Sequence, residues 1–185
     1  MIAFVTTNPG KFREVSAKLA PIGLRLRRVD LAYPEVQADR LEDVVAYAAR
    51  ALAKRVRGEF IIDDSGLFID ALGGFPGVYS SYAYRTIGCE GVLELLRRRS
   101  RRTARFESVI LFAGKSRRLR IFRGVCAGTI VRRSRGAAGF GFDPIFVPGS
   151  ARRTFAEMSL AEKNAISHRA RAVEALAGYL RGRRS

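Results

Sequence analysis

The sequence predicts an α/β fold, because short apolar strand-like runs alternate with segments whose apolar residues recur at helical spacing. Residues 2–6 indicate a buried strand, and a helix is expected to begin near Lys11. Residues 60–63 indicate a second, central strand that ends in the adjacent carboxylates Asp63 and Asp64. Since open α/β sheets bind ligands at the carboxyl ends of their strands, this pair marks the expected functional region.

The remaining elements follow from spacing and turn residues. We predict a half-exposed strand at 24–29 and helices at 41–55 and 88–99. A hairpin of two long strands is expected at 104–112 and 119–131, and a further short strand at 145–147. Ser159 and Glu162 form a capping box that starts another helix. Ser167 is a good N-cap, so we expect a break there and a second helix over about 168–181. The alternative is one uninterrupted amphipathic helix with His168 on its surface.

Composition narrows the classes of protein. A chain of 185 residues that is 48% hydrophobic fits a single domain over 1–185. No apolar run is long enough to span a membrane and no basic leader precedes the first strand, so we expect a cytoplasmic protein. Two distant cysteines and one histidine exclude a His/Cys zinc site. Any catalytic metal is therefore expected to have oxygen ligands, which favours Mg²⁺ or Mn²⁺.

The formal net charge of +17 attracts polyanions, and it supports a second hypothesis of a non-enzymatic nucleic-acid binder. Much of this charge lies in arginine runs typical of solvated surfaces, and the acidic residues would have no role on a phosphate-binding face. A third hypothesis is a nucleotide-dependent phosphatase or kinase that releases a single phosphate. This hypothesis predicts orthophosphate as the product, which product analysis would test.

Asp63 and Asp64 are expected to have different roles, because successive strand residues point to opposite faces. Asp64 is the first candidate metal ligand, since Mg²⁺ prefers carboxylate oxygens. Ser65 and Gly66 are predicted to form a turn directly after the strand, and a merely polar turn is the alternative. Glu35 follows a proline that holds the chain extended. It could complete a metal site with Asp64 or be a surface residue.

Two further stretches have the composition of ligand-binding loops. Residues 6–11 join a strand to a helix N-terminus, where backbone N–H groups and Lys11 favour an anion, although an ordinary strand–turn–helix would look the same. Phe140 and Phe142 flank Gly141, and aromatic rings can stack on nucleobases. Asp143 could fix the base edge or order the loop. The alternative is a core turn that buries both rings.

The chain resembles the Ham1-like inosine/xanthosine triphosphate pyrophosphatases over nearly its full length. The resemblance depends on six matching segments in family order, at 6–11, 34–37, 63–66, 72–77, 140–144, and 161–164 with 167–169. It implies an elongated α/β fold with two lobes, a long central mixed sheet flanked by helices, and a deep active-site cleft. It also implies a homodimer that hydrolyses ITP, dITP and XTP to the monophosphate and pyrophosphate, with no membrane or specific nucleic-acid partner.

The resemblance also implies roles for individual residues. Glu35 and Asp64 would bind Mg²⁺, with Mn²⁺ as a substitute, and Asp64 would activate the attacking water. The triphosphate would be held by Thr6, Thr7, Asn8, Pro9, Gly10 and Lys11, while Ser65 would touch the substrate. The base would be enclosed by Phe140, Gly141, Phe142 and Asp143. Lys163, His168 and Arg169 would reach the base and phosphates.

Three positions depart from the family pattern. Thr7 replaces the usual glycine, Ala46 lacks the usual polar group, and Phe142 replaces a frequent tyrosine or tryptophan. We expect a slightly tighter phosphate loop, a lost polar contact near Ala46, and preserved stacking at Phe142 without its hydrogen bond.

Overall fold

A computed structural model of the chain describes residues 1–34, 36–116, 118–149 and 151–183. The strands within these residues are β1 (Ile2–Val5), β2 (Leu26–Val29), β3 (Phe60–Ile69), β4 (Pro76–Gly77), β5 (Thr103–Ala113), β6 (Leu119–Ile130) and β7 (Phe146–Pro148). The α-helices are α1 (Pro9–Leu19), α2 (Leu41–Leu52), α3 (Ser80–Thr86), α4 (Gly88–Leu95), α5 (Leu160–Ile166) and α6 (His168–Gly182). In this part of the chain no helix combines the length and apolar composition needed to cross a bilayer.

Within the described residues the strands form one seven-stranded mixed sheet in the order β2-β1-β3-β5-β6-β7, and β4 pairs with β3. The β1–β2 and β1–β3 pairs are parallel, whereas β3–β4 and β6–β7 are antiparallel. The β5–β6 pair is a hairpin, because Gly114 bonds Arg118 at one end and Ile130 bonds Arg102 at the other. The predicted α/β class, mixed sheet and hairpin are confirmed.

The chain divides into two compact units, each with its own hydrophobic core. Unit 1 consists of Met1–Asp64, Ser108–Gly124 and Arg169–Ser185, and its core joins β1, α1 and α6 through residues such as Phe4, Leu19 and Leu176. Unit 2 consists of Ser65–Glu107 and Val125–His168, and its core includes Phe106, Phe146 and Phe155.

The predicted turn at Ser65 and Gly66 is wrong, because β3 continues through both residues to Ile69. Gly66 is needed for a close approach of two backbones: a Cβ there would lie 2.2 Å from the Gly77 carbonyl oxygen of β4. The Ser-Gly pair therefore lies where β4 closely approaches β3, and not at a corner. Asp63 and Asp64 consequently lie within a strand, although they follow the last β3 residue paired with β1, Ile61.

The C-terminal helices agree with the prediction. Ser159 and Glu162 form the expected capping box, and Ser167 is extended, with φ −71° and ψ 159°, between α5 and α6. The uninterrupted helix is therefore excluded, and His168 and Arg169 open α6. Helix α3 was not predicted, because its sequence presents no apolar stripe and buries only Ser80 and Ala83.

Candidate functional site

The loop that leaves β1 is held by its own side chains. Asn8 caps α1, since its Oδ1 accepts from the backbone N–H groups of Gly10 (2.8 Å) and Lys11 (3.1 Å). The N–H of Asn8 in turn donates to the Thr6 Oγ1 at 3.1 Å, and Pro9 has no N–H to offer. The backbone donors on which the anion-site prediction depended are thus largely occupied. The charge that the loop presents is the Lys11 ammonium.

Arg28, which the sequence did not single out, fixes the other side of this loop. Its Nε donates to the Thr6 carbonyl at 3.3 Å and its Nη2 to the Thr7 carbonyl at 3.1 Å. The same guanidinium pairs with Asp30. These bonds hold the loop carbonyls toward β2, and a planar guanidinium is suited to such a forked contact. The basic alternation of β2 gave no sign that one arginine had this role.

Asp63 is a fully buried acceptor in unit 1. Its carboxylate accepts from the Ser108 Oγ at 2.5 Å and the Arg169 Nε at 3.2 Å, and it lies 3.1 Å from the Lys11 Nζ. The Lys11 ammonium also donates to the Asp63 main-chain carbonyl at 2.9 Å. Burial alone would raise the pKa of Asp63, but attraction to Arg169 and Lys11 and the Ser108 hydrogen bond hold it well below its ordinary value. Asp63 is therefore a fixed anion.

Asp64 differs from its neighbour as the alternation argument predicted. Its side chain is 22% exposed, and its Oδ1 lies 3.9 Å from the Lys11 Nζ. A partly exposed carboxylate beside an ammonium can reach a ligand, whereas the oxygens of Asp63 are committed to protein donors. Of the two aspartates, Asp64 is the one with the exposure that a metal ligand or proton acceptor requires.

Two buried residues of this cluster, Ser108 and Glu14, were not singled out from the sequence, whereas Arg169 was. Arg169 is 1% exposed and donates through Nη1 to the Glu14 Oε2 at 2.5 Å, while its Nε donates to Asp63. Burial opposes the charge of Arg169, but the two carboxylates raise the pKa of its guanidinium above the ordinary value. The sequence did contain a sign that Ser108 is special, because Glu107 and Ser108 interrupt an apolar strand. For Glu14 the sequence offered no such sign beyond its position one turn after Lys11.

The donor set fits a divalent cation of the hard type. Asp64 offers carboxylate oxygens, and Mg²⁺ commonly binds through one or two carboxylates together with waters and substrate phosphates. Glu35, the second predicted ligand, lies outside the described residues. Among the residues that are described, no group of three or more His, Cys, Asp or Glu side chains could form a cage made of protein alone.

Unit 2 contains a separate buried ion pair, beside a partly exposed ring. The Lys163 Nζ lies 2.5 Å from the Asp143 Oδ2 and 4.9 Å from the centre of the Phe140 ring. The same Asp143 oxygen accepts from the Phe140 N–H at 2.9 Å. Of the two roles considered for Asp143, the structure supports ordering of the loop. Gly139 belongs to this arrangement, because a Cβ there would lie 2.1 Å from that oxygen.

Three other predicted site residues of unit 2 are less exposed to solvent than expected. Phe142 is 3% exposed and meets Tyr84 edge-on, which favours the alternative of a core residue over base stacking. The His168 ring is buried and stacks on Phe106, with centroids 4.6 Å apart. Ser65 is half-buried within β3. Of the two phenylalanine rings, only Phe140 is partly exposed.

The mixed sheet and the cluster of Lys11, Asp63 and Asp64 define the class of protein. It is an α/β protein in which the loop after β1 places an ammonium beside a carboxylate. The model of the Ham1 family matches residues 2–179, and the chain belongs to this family. It is 51% identical over 180 residues to a dITP/XTP pyrophosphatase of Thermococcus kodakarensis, with 97% of each chain covered. It is 50% identical to a dITP/XTP pyrophosphatase of Pyrococcus horikoshii, covering 97% of this chain and 96% of that protein.

Solved structures agree with this assignment. The Staphylococcus aureus Ham1 protein superposes with a TM-score of 0.83 at 29% identity, covering 99% of this chain and all of that one. A HAM1 protein from Coxiella burnetii gives 0.80 at 34% identity, covering 98% and 100%. The predicted family is therefore confirmed by sequence and by fold.

Proposed function

We propose that this chain hydrolyses the non-canonical purine nucleoside triphosphates ITP, dITP and XTP to the monophosphate and pyrophosphate. Relatives of about half-identical sequence bear the name dITP/XTP pyrophosphatase over nearly the whole chain. The structural observation that carries the proposal is the Lys11 ammonium, 3.9 Å from the partly exposed Asp64 carboxylate at the exit of β1. A cation for phosphate and a base for water are thereby neighbours in unit 1.

The loop from Thr6 to Lys11 is proposed to bind the triphosphate. Lys11 supplies a point charge whose third N–H bond can turn to a phosphate oxygen, since two already face Asp63. Because Asn8 Oδ1 accepts from the loop amides, its own amide nitrogen is the group that can donate to phosphate. Thr7 is exposed and adds a hydroxyl. Ser65, the next residue after Asp64, is proposed to touch the substrate.

Asp64 and Glu35 are proposed to hold a divalent cation, Mg²⁺ with Mn²⁺ as a substitute. When bound, the cation would offset negative charge on the phosphate oxygens. Asp64 is proposed to take the proton of the attacking water, a role for which a general base must have an exposed oxygen. Asp63 does not suit that role, since its carboxylate is buried and holds Ser108, Arg169 and Lys11.

Residues of unit 2 are proposed to select the base. Phe140 offers a partly exposed ring, and Lys163 and Asp143 fix its loop. Hypoxanthine and xanthine carry a carbonyl acceptor at the six-position, where adenine carries a donor. Donor-only side chains discriminate between these groups, and a misplaced donor can cost a factor of about 10⁴. Arg169 is also proposed to reach the base and phosphates, while its Nε and Nη1 donate to Asp63 and Glu14.

Two broader proposals follow from the resemblance. The protein is proposed to act in the cytoplasm, where it would remove deaminated purines from the nucleotide pool. It is also proposed to be a homodimer, which sedimentation of the purified chain would test.

The function is tested by product analysis. The chain is incubated with ITP, XTP, dITP, GTP or ATP and Mg²⁺, and pyrophosphate and orthophosphate are measured separately. We expect pyrophosphate from the first three and little product from GTP and ATP. Asp64→Asn should lower turnover about 10²- to 10⁴-fold, the range for removing a general base. Asp43→Asn, an exposed acid in the first turn of α2, is the matched control and should retain activity. Orthophosphate release, or equal use of ATP, GTP and ITP, would contradict the proposal.

A further inference from the structure

The buried charges behind Asp63 form a continuous chain of contacts in unit 1. Glu14 binds Arg169, Arg169 binds Asp63, and Asp63 binds Lys11 through both its carboxylate and its main-chain carbonyl. The Glu14, Asp63 and Arg169 side chains are no more than 4% exposed. The chain ends at the one ammonium that the phosphate loop presents.

Stability alone is a poor explanation for such an arrangement. Removing charges from water costs several kcal/mol for each ion, and well-packed apolar residues often stabilise a fold equally well. What the ionic arrangement adds is direction, because a guanidinium has donors in a fixed fork. Arg169 uses separate nitrogens for Glu14 and Asp63, so the position of each carboxylate constrains the other.

Helix α1 is attached to this network at two points. Lys11 and Glu14 lie one turn apart on α1, and such residues are neighbours on a helix surface. Lys11 contacts Asp63 directly, and Glu14 contacts it through Arg169. A helix held at two points along one face cannot rotate about its axis without breaking one of them. The direction of the Lys11 side chain is thereby fixed toward Asp64.

We infer that Glu14 is a positioning residue of the phosphate site, which acts through Arg169 and Asp63 to hold the Lys11 ammonium beside Asp64. This inference rests on the proposed function, in which Lys11 binds the triphosphate. Glu14 itself is buried, so we assign it no direct contact with the substrate. Its effect on turnover comes from geometry, since small displacements of a catalytic group can cost about 10²-fold in rate.

The test is a double-mutant cycle on kcat/KM for ITP. Glu14→Gln keeps the size of the side chain and an acceptor oxygen for Arg169 but removes the charge. We expect it to lower kcat/KM at least tenfold, with most of the loss in kcat. In the Lys11→Ala background the same change should cost less than threefold, because the group that Glu14 positions is gone. Equal losses in both backgrounds would overturn the inference.

A second variant separates positioning from stability. Leu176→Ala removes a fully buried side chain of the unit 1 core, and Leu176 has no proposed role in binding. It should lower the melting temperature at least as much as Glu14→Gln while leaving kcat of the folded protein unchanged. If the two variants lose kcat in proportion to their melting temperatures, Glu14 has only a structural role and the inference fails.

A readout without turnover distinguishes this inference from the proposed function. Binding of inorganic tripolyphosphate in the absence of metal is measured by calorimetry. Glu14→Gln should weaken it at least fivefold, and Leu176→Ala should not change it. If wild-type protein hydrolyses no nucleotide yet these affinities differ as stated, the proposed function fails and the positioning role stands. If the affinities are equal, the positioning role fails whatever the activity.

Discussion

Unit 1 and unit 2 both bury charged side chains, but they pair them differently. In unit 1, Arg169 lies between the carboxylates of Glu14 and Asp63, and Asp63 has a further cation in Lys11. In unit 2, Lys163 and Asp143 form a buried ion pair, and the ammonium also lies over the rings of Phe140 and Phe155. The unit 1 cluster is a chain of ions, whereas the unit 2 cluster combines an ion pair with aromatic rings.

The two arrangements differ in how far they can hold side chains in position. A chain of ions transmits position, because its inner members, Arg169 and Asp63, are each held by two others. An ion pair beside aromatic rings fixes one loop locally. The attraction between the ammonium and the ring faces also stabilises the cation. We therefore expect removal of a charge to lower the stability of the protein more in unit 1 than in unit 2.

The largest loss of stability is expected for Asp63→Asn. The change removes the central anion, so Arg169 loses one carboxylate partner and Lys11 loses its nearest carboxylate. Breaking a buried charge network in this way should lower the free energy of unfolding by about 3–5 kcal/mol. Urea denaturation monitored by circular dichroism measures it. A loss below about 1 kcal/mol would show that the cluster is not a mutually supporting chain.

Asp63→Asn should also make the free energy of unfolding less dependent on pH in the acid range. The pKa of Asp63 is lower in the folded chain than in the unfolded chain, so the unfolded state binds more protons as the pH falls. The stability contributed by Asp63 is therefore fully present above about pH 5 and is lost progressively at lower pH. Unfolding free energies of the wild type should fall more steeply than those of Asp63→Asn between pH 5 and pH 2. Parallel curves would contradict the assignment of a depressed pKa.

A smaller loss is expected for Lys163→Met in unit 2. Methionine can keep the contacts with Phe140 and Phe155, but Asp143 loses its ammonium partner. The expected loss is about 2 kcal/mol, measured by the same urea titration. The double variant Asp143→Asn/Lys163→Met removes both charges and should recover at least half of it. If Lys163→Met costs more than Asp63→Asn, the comparison between the units is wrong.

A matched pair of glycine variants isolates the role of the Asp143 carboxylate in ordering its loop. Gly139 and Gly141 both have positive φ, but only a Cβ at Gly139 would meet the Asp143 Oδ2. Gly141→Ala should cost about 1 kcal/mol from backbone strain alone. Gly139→Ala should cost about 1–2 kcal/mol more, because it also displaces an acceptor of two hydrogen bonds. Thermal unfolding of the two variants measures the difference, and equal losses would remove the steric argument.

The sequence allowed the fold to be predicted where local signals were strong. The hairpin, the capping box at Ser159 and the break at Ser167 all follow from local patterns of residues. The turn predicted at Ser65 and Gly66 failed because the reason for Gly66 lies in β4, about ten residues further on. A close approach between strands leaves no mark in the stretch that contains it.

The site was predictable only in part, for the same reason. Lys11, Asp63 and Asp64 were found, because the apolar strand residues that precede them are recognisable. Glu14 was not, because its partner Arg169 is 155 positions away and a glutamate on a helix is usually exposed. The alternation of strand residues correctly separated Asp63 from Asp64, but which of them is buried depends on Ser108 and Arg169, which no spacing rule connects to the pair.

The smallest effect is expected at Cys89, which reports the electrostatic field beside the unit 2 pair. Its thiol donates to the Gly141 carbonyl at 3.6 Å, and burial, together with Glu90 and Asp143, raises its pKa to about 11. Cys89→Ser keeps a donor and should change stability by less than about 0.5 kcal/mol. At pH 8 only ~0.1% of the thiol would be ionised, so iodoacetamide should label it slowly and faster as the pH rises. Asp143→Asn should lower this pKa, because it removes a nearby negative charge. Rapid labelling at pH 8, followed by mass spectrometry of the Cys89 peptide, would show that the field at the loop is not negative.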